Sequence, residues 1–179
     1  DITKAKIKTL TGIKLNVIKK LKEKLGKSIH IDEKSGAIKF SSNILFDQNE
    51  YKLKEESKKE LSIVLKKYLN TLVGDKEMRK FIESITIEGH TNSDGTYLSN
   101  LALSQQRALA VMQFLYDSNI IDKDLLSTYV NSSGRSSSDL ILDKTGAEDK
   151  DASRRIEIKF AIKNEEAVKE LQNFLGDKK

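Results

Sequence analysis

Cysteine, proline and tryptophan are absent from the 179 residues, and histidine occurs only twice. Without cysteine there is no disulfide framework, no thiol nucleophile and no Cys-based zinc site. Two histidines leave little room for a His-rich metal centre, so neither a metal nor a cofactor is expected. No stretch approaches the roughly 20 apolar residues that cross a bilayer. The sequence opens at Asp1 with neither an initiator Met nor a signal-like segment. That predicts a mature or excised fragment whose targeting segment has been removed.

What is present is charge, and it is unevenly placed. The chain carries 32 Lys and Arg against 27 Asp and Glu, a net charge of +5. The first 27 residues hold nine Lys against Asp1 and Glu23, which makes them +7. The remaining 152 hold 23 basic and 25 acidic residues, so they are −2. Basicity confined to one segment, with no aromatic ladder beside the arginines, argues against a nucleic-acid partner. Hydrophobic residues at 37% suffice to bury a core.

Residues 1–27 read as a basic amphipathic helix or linker. Leu10, Val17, Ile18, Leu21 and Leu25 share one face at helical spacing, and Gly26 is the stop. The segment from Ile29 to Phe40 alternates about Lys34-Ser35-Gly36, which predicts a hairpin, with His30 on its polar side. Residues 41–51 read as a loop. A helix follows, with Leu53, Ser57, Leu61, Val64, Leu65, Tyr68, Leu69 and Leu72 in one stripe; Gly74-Asp75 breaks it, and a short helical piece runs through Met78 to Ile82. Residues 85–88 read as a buried strand entering the turn-rich 89–95. A second helix is expected from Ser99 or Asn100 as cap, with Leu101, Ala108, Val111, Met112 and Leu115 inward. A strand is expected near 127–131, then a functional or mobile loop over 132–153, then a strand over 155–162. The last helix, 164–179, starts at Asn164 with Glu165 and Glu166 in its first turn; Val168, Leu171, Phe174 and Leu175 form its stripe. Strands alternating with long helices predict an α/β (α+β) sandwich: a mixed β-sheet with helices packed on one face.

The densest polar constellation is 89–107. Ser99, Asn100, Ser104 and Arg107 fall near one helix face. Helix N-terminal amides with an arginine fork suit a carboxylate or phosphate. Asn92 and Asp94 suit an ammonium or hydroxyl, so the set fits a zwitterionic or peptide-like ligand. The same residues also describe a capped helix whose arginine makes a structural salt bridge. No enzyme is expected: His90, Ser93 and Asp94 are crowded into one turn, where no triad forms, and no carboxylate pair is singled out.

Several fixed residue types at fixed spacing carry a resemblance. They are Gly89-His-Thr-Asn92, Gly95, Asn100-x-x-Leu103-Ser104-x-x-Arg107-Ala108-x-x-Val111 and Ser153-Arg-Arg-Ile-Glu-Ile158, with Ile44-Leu-Phe-Asp-Gln-Asn49 upstream. This set resembles the OmpA-like peptidoglycan-binding domain, and the expected domain spans 28–163. The arrangement is similar to the periplasmic part of MotB-type stator subunits and to the ZorB subunits of Zorya anti-phage systems; Pal-type lipoproteins are the alternative. The resemblance implies non-catalytic binding of a diaminopimelate-type stem peptide. Arg107 would take a ligand carboxylate, and Asn49, Thr91, Asn92, Asp94, Asn100 and Arg154 would line the pocket. It further implies a periplasmic, cell-wall-facing module anchored to the inner membrane by a segment outside this sequence, a homodimer, and an ion-channel partner subunit. A scaffold of the same fold with a degenerate ligand site is the rival reading. Asn92 stands where the family usually has Asp, which implies weaker binding or altered stem-peptide preference, with Asp94 as a substitute charge. Ser153 replaces an Asn, and Gly134–Asp139 departs from the family's loop, so 132–153 is expected to be shaped differently.

Overall fold

The structure, a computed structural model, describes residues 2–176, with Glu166 and Val168 described by backbone alone. Asp1, residues 177–179 and the expected side-chain roles of Glu166 and Val168 lie outside the described residues.

Helix α1 (Ile2–Leu25) buries Val17, Ile18, Leu21 and Leu25, all in its second half. This is the i, i+3, i+4 stripe of its sequence, laid on the core. Strand β1 (Ile38–Ser41) and helix α2 (Ser42–Leu45) follow. Helix α3 (Glu55–Leu69) continues as a π-helical turn, Asn70–Gly74. From Ser57 through Leu72 the expected stripe is buried. Helix α4 (Lys76–Arg79) leads into β2 (Ile82–His90). Then come α5 (Tyr97–Ser118), α6 (Lys123–Tyr129), β3 (Val130–Gly134), α7 (Lys150–Ser153), β4 (Arg155–Ile162) and α8 (Glu165–Gly176).

The four strands order as β1-β4-β2-β3; β2 and β3 run parallel and the other pairs antiparallel. Parallel neighbours need a long crossover, and α5 with α6 supplies it. Ile38, Ile85, Ile87, Ile156, Ile158 and Phe160 share one face and join Leu21, Leu65, Tyr68 and Val111 in a single core. The fold is therefore the mixed-sheet sandwich expected. Tyr68, fully buried, donates its hydroxyl to the Gly36 carbonyl at 2.9 Å and lies 3.3 Å from that of Ile158.

The opposite face carries charge. Glu88 meets His90 Nε2 at 3.2 Å and Lys159 Nζ at 2.9 Å, and Arg155 Nε meets Glu157 at 3.1 Å. Burial pushes Glu88 up, but the hydrogen bonds and charges of His90 and Lys159 outweigh it and hold the carboxyl at about 2.

One glycine pair decides how closely α5 approaches. Gly89 and Gly134 are register partners in β2 and β3. A Cβ on Gly89 would sit 2.1 Å from the Ser104 carbonyl oxygen; one on Gly134 would sit 2.5 Å from the Gln105 nitrogen. Only a strand surface without side chains lets the helix backbone lie there.

Five expectations change. Residues 41–51, expected as a loop, hold α2, and α5 is capped by Thr96 rather than by Ser99 or Asn100. The hairpin over 29–40 does not form: only Ile38–Ser41 enters the sheet, and its partner is β4. Residues 32–36 are a turn in which the Asp32 carboxylate accepts from the Lys34 and Ser35 amides and the Ser35 hydroxyl, with Gly36 at φ +73°. The alternation there reflects Ile31 seated in the core, not a ladder. Residues 127–131 begin as helix, because Asp122 caps α6 by accepting from Asp124 and Leu125 amides; the strand starts at Val130. The segment 132–153 is built rather than loose. Ser136 is fully buried and bonded to Ser104 Oγ and the Tyr97 carbonyl, Leu142 bridges Glu148, and α7 closes the segment.

Candidate functional site

A polar cleft of about 150 Å³ opens where the C-terminal end of β2 meets the start of α5. Its lining includes Asn49, Thr91, Asn92, Asp94, Asn100, Arg107 and Arg154, together with Asn43, Phe46, Asp47, Gln48 and Leu103. The structure thus brings together the seven residues that the resemblance placed in the pocket.

Four segments build it. The first is the loop after α2, where Asn49 takes the left-handed backbone (φ 59°) that Asn tolerates better than most residues. The second is the 91–95 turn. Its Asn92 Oδ1 accepts from the Asp94 amide at 3.0 Å, and its Thr91 amide donates to the Ser136 carbonyl at 2.9 Å. The third is α5, capped by Thr96, whose Oγ1 accepts from the Ser99 amide. The fourth is the end of α7, which presents Arg154.

Arg107 is the electrostatic centre. It is 94% buried, with 6% exposure. Its Nε donates to the Glu50 carbonyl at 2.8 Å, its Nη2 lies 3.4 Å from the Asp47 carbonyl, and the guanidinium sits 5.1 Å from the Phe46 ring centroid. Burial lowers its pKa, and the charge of Arg154 lowers it further. Among the described ion pairs, none gives Arg107 a carboxylate. The structural-salt-bridge reading therefore does not describe this residue. A buried guanidinium held by carbonyls, beside a second guanidinium, has the chemistry to receive an anion.

Asp94 does not wait for an ammonium. Lys150 Nζ holds its Oδ1 at 2.7 Å, and the neighbouring Ser93 gives its amide and hydroxyl to Glu148. Arg154 pairs with Asp151 and keeps a buried Nε without a partner. Ser99 and Ser104, expected on the ligand face, are elsewhere: Ser99 belongs to the cap, and Ser104 holds Ser136. His90 lies beneath the sheet between Glu88 and Glu157, away from the cleft. Lys150 and Glu148 escaped the sequence reading. They meet the 91–95 turn from more than fifty positions away, and no local pattern announces such a contact.

Fold and site together define a small α/β domain with a polar cleft that holds two arginines. The chain belongs to the OmpA family, whose model matches residues 45–155. It is similar to the Zorya protein ZorB of Escherichia coli strain Crooks, 34% identical over 152 residues, covering 79% of this chain and 63% of that protein. The Zorya protein ZorB of Escherichia coli O139:H28 is 38% identical over 94 residues, covering 52% and 38%. The chain spans less than two thirds of the length of either. Among solved structures, the fold matches a putative MotB-like protein from Desulfovibrio vulgaris (TM-score 0.58, 16% identity, 91% and 100% covered). It also matches the cell wall anchor of the T6SS from Pseudomonas aeruginosa (TM-score 0.55, 20% identity, 83% and 99% covered). No helix among the described residues is long and apolar enough to cross a membrane.

Proposed function

We propose that this chain is a non-catalytic peptidoglycan-binding module that anchors a larger assembly to the cell wall. The cleft takes the stem peptide; Arg107 receives a ligand carboxylate; Arg154, Asn49, Thr91, Asn92, Asp94 and Asn100 complete the seat. The observation that carries this reading is the buried Arg107 guanidinium, which has hydrogen-bonding carbonyls and an aromatic ring but no carboxylate partner among the described residues. Membership of the OmpA family and the likeness in fold to a cell wall anchor support it. In this reading residues 28–163 are the binding domain, and the module faces the cell wall from the periplasm. It works as a homodimer, joined to an inner-membrane ion-channel subunit through a segment outside this sequence.

Pull-down with purified sacculi tests the proposal. Arg107→Ala is expected to lose most retention, since one charge-assisted carboxylate contact of about 1.5–3 kcal/mol disappears. Lys66→Ala, on the remote α3, should retain binding. Equal retention of both variants would refute the carboxylate role and favour the scaffold reading.

A further inference from the structure

This inference rests on the peptidoglycan reading and concerns which form of the stem peptide the cleft accepts. Two carboxylates line it, Asp47 and Asp94, and each already faces a lysine: Lys54 at 3.5 Å and Lys150 at 2.7 Å. Asn92 is buried, and its Oδ1 is committed to the Asp94 amide. That bond sets the orientation of the carboxamide and uses one of its two oxygen lone pairs, while its NH₂ remains a donor. Asn100 Nδ2 is spent on the Asp94 carbonyl at 2.7 Å. The two arginines supply the rest: Arg107 without an acidic partner and Arg154 with an unpartnered, buried Nε. An ammonium entering this cleft meets two guanidiniums and must share Asp94 with Lys150 or Asp47 with Lys54. Like charges at such range are disfavoured.

We propose that the cleft selects for the ligand carboxylate and disfavours a free ammonium, because both of its carboxylates are already shared with lysines. It therefore favours stem peptides whose distal amine is acylated over those in which it is free. Acylation removes the charge of the amine and leaves the neighbouring carboxylate in place, and this is the chemical change that a cross-link makes at diaminopimelate. The module would then report, and hold, cross-linked wall.

The test is calorimetric titration of the chain with three synthetic stem tripeptides that share every group but one. The terminal residue is diaminopimelate with a free distal amine, the same residue with that amine acetylated, or 2-aminopimelate, in which hydrogen replaces the amine. The two neutral probes are expected to bind about threefold or more tightly than the free-amine probe, as one repulsive contact is removed. Asn92→Asp, which restores an acidic seat, should invert that order. Equal or weaker binding of the 2-aminopimelate probe in the unaltered chain overturns the inference. Failure of the acetylated probe alone overturns the cross-link part. If none of the three binds and sacculus retention is also lost, the peptidoglycan reading itself fails and takes this inference with it.

Discussion

Replacing Gly89 by Ala tests whether the site depends on the closeness of helix to sheet. The added Cβ would stand 2.1 Å from the Ser104 carbonyl oxygen, 2.8 Å from its carbonyl carbon and 3.1 Å from its Cα. The first two distances are shorter than any real Cβ contact, and all three atoms are helix backbone, which cannot rotate away. Either α5 lifts from β2 or the strand bends. Overpacking of this kind costs typically 1–3 kcal/mol, and a backbone clash belongs at about 3. For a chain of this size each 1 kcal/mol lowers Tm by about 2–4 °C, so a loss of about 6–12 °C is expected. Ser104 lies one helical turn before Arg107 on α5, so the displacement should also weaken sacculus retention beyond what the fraction unfolded explains. Thermal unfolding followed by circular dichroism, with retention measured well below Tm, reads both effects. Gly12→Ala is the control. Gly12 lies in the interior of α1 with nothing within 4 Å of the added atom, so that variant should gain about 0.5–1 kcal/mol. A Gly89→Ala protein that melts within 2 °C of the parent would refute the close-packing argument.

Two further predictions concern the core and the charged sheet face. Tyr68→Phe strips the Gly36 and Ile158 carbonyls of a buried donor; denaturant titration should show a loss of about 1–3 kcal/mol, and no loss would mean the contact is incidental. Glu88 has a folded pKa of about 2, below its ordinary value of about 4.3. Its contribution is therefore complete above pH ~4.3 and is lost as the pH falls toward 2. Glu88→Gln should start less stable at neutral pH and lose less on acidification; parallel curves for the two proteins would contradict the assignment.

Elements with an unbroken local pattern could be read from the sequence. The strand over 155–162 alternates cleanly and is buried at Ile156, Ile158, Phe160 and Ile162. The stripe of α3 is the one its spacing predicts, including the polar Ser57, whose hydroxyl bonds the Ile44 carbonyl. Boundaries were lost where two signals compete. Thr128-Tyr129-Val130 has strand propensity, yet the Asp122 cap keeps Thr128 and Tyr129 helical. Ile29 to Phe40 alternates like two arms, yet the sheet has a partner for only one of them. At the site, fixed spacing located the cleft residues. It did not reveal that Asp94 is already occupied, because Lys150 reaches it through a fold-level contact rather than a local one. The same blindness hid the glycine floor: Gly89 stands out as part of a motif, but its pairing with Gly134 shows only in the register.

The seating of α1 bears on mechanics. Its buried residues all lie in the second half, against α3, the π-helical turn and the sheet side of the core, while Lys14 near its middle pairs with Glu165 of α8. Traction applied from the amino end would load that seam along the helix axis, so many side chains resist sliding together instead of parting one after another. The cleft lies on other elements, α5, α7 and the loops beside them. In the proposed reading the α1 seam and the arginine cleft would be links in series, carrying the same load on separate elements.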